Sequence, residues 1–376
     1  GANPTVAPTW AVAPSAGNGG SKSSKGGKDG GGAAPARPRP SKMRPTKDPL
    51  TTVRPCHYFD CWIAYLSGLS GGLFPLYFVP AVMERPIFER GLVATCCATV
   101  VIWIVSNAND NSSIYDPYWA LAPPVLALWF KSETGGLELT GEAWHPRQLI
   151  VLGLVLAWAL RFHVMVPWEG WWKGLTHEDW RYHDIRVSFE RNELMYWMFS
   201  LTSLHLTPTF LVYFAFAPAA MVLTTPKFAQ PELCMYDGVG SVVVLGAIML
   251  EAWADETLRT FRATHARTVP PTEGKICREG PWRYSRHPNY FGECLFWLGF
   301  LFFSLAMAAD GHSTTDPVWL PAGPIVMYLF FRFASLPLMD KRSLVRRPGY
   351  DEVMRTTPAM APLSFGFAAN TKDKEE

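Results

Sequence analysis

The chain has 376 residues and a formal net charge of +2; 49% of its residues are apolar, 14% aromatic and only 18% charged. Soluble domains carry about 25% charged residues. This composition, with 16 Trp and 23 Phe, therefore excludes a disordered chain, a disulfide scaffold and a collagen-like repeat, and it describes a polytopic membrane protein. No cluster of basic residues interleaved with aromatics marks a nucleic-acid surface. The seven cysteines, odd in number and without a C-x-x-C pair, read as buried thiols.

Residues 1–54 are rich in Gly, Ala, Pro, Ser and Lys. Such a segment buries too little apolar surface to offset its chain entropy, so it is expected to be a disordered tail, either a transit-peptide remnant or a cytosolic extension. From residue 55 to 363 apolar runs alternate with short polar ones, and 364–376 form a charged C-terminal tail. A spanning helix needs about 20 mostly apolar residues. Eight segments approach that length: 58–83, 91–107, 114–130, 148–166, 194–223, 238–257, 289–308 and 317–337. The fifth contains Pro208 and is expected to kink or split. The fold class is thus all-α, a polytopic membrane bundle of about eight helices. With eight crossings, one side receives 27 Lys/Arg and the other 5. That asymmetry puts both termini on the inner side.

Ionisable residues inside membrane segments are costly and therefore informative. Asp116, Arg161, Glu251, Asp255, Glu293 and Arg332 all fall at inner helix ends in this topology. Their common depth predicts a polar cavity opening to the inner side, against the simpler reading of side chains reaching individually to the interface.

Two stretches carry chemistry. Gly280–Glu293 reads G-P-W-R-Y-S-R-H-P-N-Y-F-G-E. Arg286 and His287 precede a helix start bearing Asn289, Tyr290 and Glu293, a combination suited to phosphates and to the hydroxyl or amide groups of a cofactor. Upstream, Asp255, Arg259 and Arg262 follow at four- and three-residue steps on one helix face. They form either a helix-stabilising ion pair or a clamp for a charged, polyhydroxylated ligand.

The R-x-x-R-H-P-N-Y-F-G-E segment, preceded by D-x-x-L-R-x-F-R, resembles the C-terminal domain of the steroid 5-alpha-reductase family, and most closely its uncharacterised branch. S-I-Y-D-P-Y-W (113–119), the run 145–162 ending in Arg, H-E-D-W-R-Y (177–182) and two blocks within 336–353 are similar in order and spacing, over about residues 100–363. The resemblance implies a membrane reductase that binds NADPH on the cytosolic side and acts on a hydrophobic, sterol-like or isoprenoid-like substrate within the bilayer. Endoplasmic reticulum is the expected membrane, with a mitochondrial or plastid one as the alternative. The cofactor contacts it implies are Arg161, Asp255, Arg259, Arg262, Arg286, His287, Asn289, Tyr290 and Glu293. Enone reduction needs a proton donor at the carbonyl oxygen, and a tyrosine bonded to a carboxylate suits that role. Tyr115, Asp116 and Tyr118 are the nearest equivalents of such a pair.

His177, Glu178, Asp179 and His183 lack H-E-x-x-H spacing and read as a surface segment, so no metal is expected. Trp168, Trp171 and Trp172 read as an interfacial belt. Two other functions compete with the reductase. Membrane methyltransferases of the isoprenylcysteine or phospholipid type, which use S-adenosylmethionine, share an R-H-P-x-Y-x-G core but end in an acidic pair. Here the corresponding place reads Asp340-Lys341-Arg342, and bases there suit a phosphate better than a sulfonium. The third reading is a non-catalytic subunit of a membrane complex.

Overall fold

Nearly every apolar run is helical in the computed structural model, which describes residues 56–138, 143–165, 174–175, 178–190, 192–265, 275–308 and 319–360. Both predicted tails, His177 and the three belt tryptophans lie outside those residues. The helices are α1 (Tyr58–Phe78), α2 (Pro80–Met83), α3 (Ile87–Ala108), α4 (Tyr115–Gly135), α5 (Pro146–Met165), α6 (Trp180–Ser188) and α7 (Glu193–Phe199). They continue with α8 (Thr207–Ala215), α9 (Ala217–Thr224), α10 (Met235–His265), α11 (Pro288–Ala308), α12 (Ala322–Phe330), α13 (Leu336–Arg346) and α14 (Tyr350–Thr356). Among the described residues, extended structure is limited to the antiparallel pairing of Cys56–His57 with Gly174–Leu175.

Two membrane segments are interrupted by π-helix, at Ser200–Leu206 between α7 and α8 and at Phe331–Ser335 between α12 and α13. Each interruption ends two residues before a proline, Pro208 and Pro337. Proline has no N–H, and its ring displaces the carbonyl four residues back. The wider π turn absorbs that conflict, and the Thr207 hydroxyl donates to the Thr202 carbonyl at 2.9 Å. The expected break at Pro208 is thus a local widening. The α-helix is interrupted again a few residues later, between α8 and α9 at Phe216.

Among the described residues seven helices are long and apolar enough to cross a membrane; the α7–α8 and α12–α13 segments count once each. The predicted third span, 114–130, is not among them. It forms α4, whose 21 residues reach about 31 Å at 1.5 Å per residue. α4 packs against α3, α5, α8 and α9, and it buries Tyr115, Trp129 and even Lys131. A helix enclosed by neighbours need not be apolar on every side, which is why it falls short on composition alone. The start of α4 and the end of α5 meet in one cavity, described below, so these two helices run antiparallel and α4 is the eighth crossing. Residues 58 and 360 then lie on the same side. A cysteine introduced at Thr314 is accordingly expected to react with an impermeant reagent from the side opposite Cys277; reaction of both from one side would remove a crossing.

The bundle interior is aromatic. Trp158 of α5 stacks on Phe296 of α11 at 4.9 Å, and Trp297 meets Trp158 edge-on at 5.3 Å. At the outer end Arg147 is fully buried and grips Asp237 through two hydrogen bonds of 2.6 and 2.8 Å. It also donates to the carbonyls of Pro231 and Glu232 at 3.0 Å. This fork fastens the start of α5 to the start of α10, leaving their far ends to form the site.

Candidate functional site

The inner ends of α4, α5, α10 and α11 converge on a cavity of about 620 Å³, within the range of small-molecule and cofactor sites. α5 supplies Arg161 and Phe162, α10 supplies Glu251 and Asp255, and α11 supplies Asn289, Tyr290 and Glu293. Close approach of α10 and α11 depends on Gly292, where a Cβ would overlap the Glu251 side chain. The predicted cavity therefore exists, and it gathers five of the six intramembrane charges. Arg332 is the exception: it is exposed, with its guanidinium 5.5 Å from the centre of the Phe333 ring, as expected of a side chain reaching for the interface.

Arg161 organises the polar wall. Its Nη1 lies 2.6 Å from Glu251 Oε2, and its Nη2 donates to Asp255. Asn289 Nδ2 donates to the other Asp255 oxygen at 3.2 Å. Both oxygens of Glu293 are occupied, accepting from Trp158 Nε1 at 3.1 Å and Trp297 Nε1 at 2.6 Å. Glu251 Oε1 and Arg161 Nε are buried without hydrogen-bond partners. A buried unpaired donor and acceptor each cost about 1–3 kcal/mol, so the cluster is held together at a cost to stability.

The catalytic trio separates. Asp116 lines the cavity, but its partner is Tyr182, whose hydroxyl donates to Asp116 Oδ1 at 2.5 Å. The Tyr115 hydroxyl instead pairs with Thr209 Oγ1 at 2.8 Å, at the cavity's edge. Tyr118 is buried behind Tyr115, beside a void of only about 10 Å³. The tyrosine–carboxylate pair expected within 115–118 is therefore formed across 66 residues, with the tyrosine on α6. Burial, reinforced by the Asp116 charge, raises the Tyr182 phenol well above its ordinary pKa and keeps it protonated.

α6 roofs this end of the cavity with Arg181, Tyr182 and Ile185. Asp179 caps it, accepting from Arg181 N at 2.8 Å. The helix is docked from several directions. Glu178 Oε1 accepts from Ser112 N at 2.9 Å and from the Tyr196 hydroxyl at 3.3 Å, and burial raises its pKa. Arg186 pairs with Asp110 and Glu193. Arg342 of α13 lies 3.8 Å over the Trp180 ring and 3.3 Å from Asp184. Sequence reasoning read this segment as a surface loop. The available signal was its place in the series of family-like blocks, together with an Asp positioned to cap a short helix. Among the described residues no group of three His, Cys, Asp or Glu side chains is arranged to hold a metal ion.

Four predicted cofactor residues lie outside the cavity lining. Arg259 pairs with Glu256 at 2.7 Å on an exposed face, not with Asp255. Arg262 is exposed two turns beyond Asp255. Arg286 and His287 are committed to Asp340, at 2.7 and 2.9 Å, and the Tyr350 hydroxyl donates to the same carboxylate at 2.7 Å. Their backbone N–H groups donate to the carbonyls of Pro358 and Ala359. This cluster ties the C-terminal segment to the start of α11. Replacing Arg286 or His287 with Ala is accordingly expected to cost about 1.5–3 kcal/mol of stability, typical of a charge-assisted bond, equally with and without ligand. A loss confined to ligand affinity, read by melting with and without it, would return these residues to the site.

The geometry can be set beside known proteins. The family described as "Protein of unknown function (DUF1295)" matches residues 102–357, a stretch that contains every cavity-lining residue. An uncharacterized protein of Schizosaccharomyces pombe is 23% identical over 290 residues, covering 73% of this chain and 80% of that one. No solved structure matches the chain. The match runs unbroken from the end of α3 to α14, and the chain belongs to the DUF1295 family.

Proposed function

We propose that this integral membrane protein is an NADPH-dependent reductase that saturates a conjugated C=C bond in a hydrophobic, sterol-like or isoprenoid-like substrate. The observation that carries the reading is the Tyr182–Asp116 pair, a protonated phenol held on a carboxylate at the polar end of an otherwise largely apolar cavity. The cofactor fits in part. Asp255 and Asn289 suit ribose hydroxyls. Of the two lining arginines, Arg161 is shared by two carboxylates, and Arg181 bonds Asp179 through Nε at 2.8 Å. Exposed Arg262, beyond the cavity, is a further cation suited to the phosphates.

NADPH, when bound, supplies the hydride to the β-carbon of the unsaturated carbonyl. Tyr182 would donate its proton to the carbonyl oxygen, giving an enol whose tautomerisation puts a proton on the α-carbon and frees the one on oxygen, and the Asp116 carboxylate orients the hydroxyl and limits its freedom to turn away. Arg161, Asp255 and Asn289 fix the polar ring of the site. α6 keeps bulk water from the reacting end.

One observation favours a second reading. The lining carries four carboxylates and two arginines, an excess of negative charge that suits the sulfonium and ammonium of S-adenosylmethionine. Of the stretch that argued against it, the base Arg342 is occupied with α6 and the acid Asp340 with Arg286 and His287. Thermal shift of the purified protein separates the two. A ligand at a hundredfold excess over its Kd adds about 2.7 kcal/mol; NADPH is expected to raise the melting temperature and S-adenosylmethionine to leave it unchanged, and the reverse result would make the protein a methyltransferase. Asp255→Asn is expected to lower NADPH affinity at least ~tenfold, about 1.4 kcal/mol. An equal loss of stability with and without NADPH would make Asp255 purely structural.

A further inference from the structure

The cavity has a second, apolar half that the polar site does not use. It is walled by the α7–α8 segment, with Leu204, Pro208 and Leu211, and by the α12–α13 segment, with Met327, Phe330 and Leu338. These two segments are packed at their outer ends, where a Cβ at Gly323 would overlap the Phe214 carbonyl. Towards the inner side they part. Both π-helical stretches fall in this diverging portion and line the cavity, through Ser203 and Leu204 on one side and Phe331, Ala334 and Ser335 on the other. Ala334 and Leu338 line the cavity and are also exposed, Leu338 by 40%. Both lie on one segment, Ala322–Arg346, that is apolar enough to cross a membrane, so the rim they form faces lipid. From Met327 to Met339 the slot climbs at most ~18 Å at 1.5 Å per residue, somewhat over half of the ~30 Å hydrocarbon core.

We infer that this gap is a side entrance from the inner leaflet, and that it admits a single membrane amphiphile held with its polar end at the Tyr182–Asp116 pair and its apolar body in the slot. The polar groups sit at helix ends, level with the first turn of α11, whereas the slot wall reaches deep into the membrane. A lipid entering between the two π-helical stretches needs neither to leave the bilayer nor to turn over. Where the inference rests on the reductase reading, it adds that the reduced double bond lies beside the polar end of the lipid and not in its tail. The π turns matter because they splay the two segments at the depth where the gap must admit a chain.

Site-directed labelling in liposomes tests the entrance without requiring turnover. Ser203→Cys is labelled either with N-(1-pyrenyl)maleimide, an amphiphile dissolved in the bilayer, or with a charged methanethiosulfonate confined to water, each corrected for the native thiols. The expected result is rapid labelling by the maleimide, slowed at least ~tenfold when Ala334→Trp is added, and little labelling by the charged reagent. If Ala334→Trp does not fold, Leu338→Trp blocks the same rim. Preference for the charged reagent, indifference to the blocking tryptophan, or no labelling by either reagent would overturn the entrance. NADPH binding is read separately by thermal shift. Its failure would remove the reductase reading while leaving the labelling result standing.

Discussion

Replacing Arg161 with Met is expected to destabilise the protein by about 3–5 kcal/mol, the usual cost of stripping one partner from a buried ion pair. Arg161 is 5% exposed and is held between Glu251, 1% exposed, and Asp255, 13% exposed. Without it two carboxylates face each other at the edge of the hydrocarbon, with Glu293 on the neighbouring helix α11. Met fills a similar volume, so the loss reports charge and not a hole. The decisive comparison is a triple variant that also carries Glu251→Gln and Asp255→Asn. Neutralising all three groups removes the uncompensated charge, and well-packed neutral replacements of buried ion pairs are often neutral or stabilising. Melting in detergent should therefore fall sharply for Arg161→Met and recover most of the loss in the triple variant. An Arg161→Met protein that melts like the wild type would mean that water or lipid headgroups already screen the cluster.

The cluster was legible in the sequence because its members are anomalies there. Arg161, Glu251 and Glu293 interrupt apolar windows at one depth, and only mutual pairing or a wet cavity tolerates that. Arg332 carried the same signal without joining the cavity. A long cationic stem can reach the interface alone, whereas a short carboxylate cannot. Partners were less legible than positions. Asp255, Arg259 and Arg262 share a helix face, yet Arg259 turns to Glu256 three residues away, because Asp255 faces Arg161 across the bundle. Asp340, the partner of Arg286, lies 54 residues away, and no local pattern announces such a contact. The π-helical stretches were half visible. The prolines foretold a disturbance, but whether a helix kinks, breaks or widens depends on what packs beside it. Tyr182 escaped altogether. It lies in a charged, aromatic segment between spans, where an ionisable or hydroxyl group costs nothing unless a tertiary contact buries it.

That tyrosine carries the largest catalytic expectation. Tyr182→Phe removes one oxygen and leaves the ring, so the packing of α6 over the cavity should survive. The hydroxyl is buried, protonated and 2.5 Å from Asp116 Oδ1. General-acid catalysis by a positioned side chain contributes about 10²–10⁴-fold. NADPH-dependent reduction of an enone probe such as cholest-4-en-3-one is therefore expected to slow at least ~100-fold, while the NADPH-induced rise in melting temperature stays as in the wild type. Asp116→Asn should have a smaller effect, since the amide still accepts a hydrogen bond from the phenol but no longer holds it with a charge. Tyr115→Phe serves as the internal control. Its hydroxyl is bonded to Thr209, away from the carboxylate, so its loss should alter the rate by less than ~tenfold. If Tyr115→Phe proves the crippling change and Tyr182→Phe turns over normally, the proton comes from α4, and α6 is only a roof.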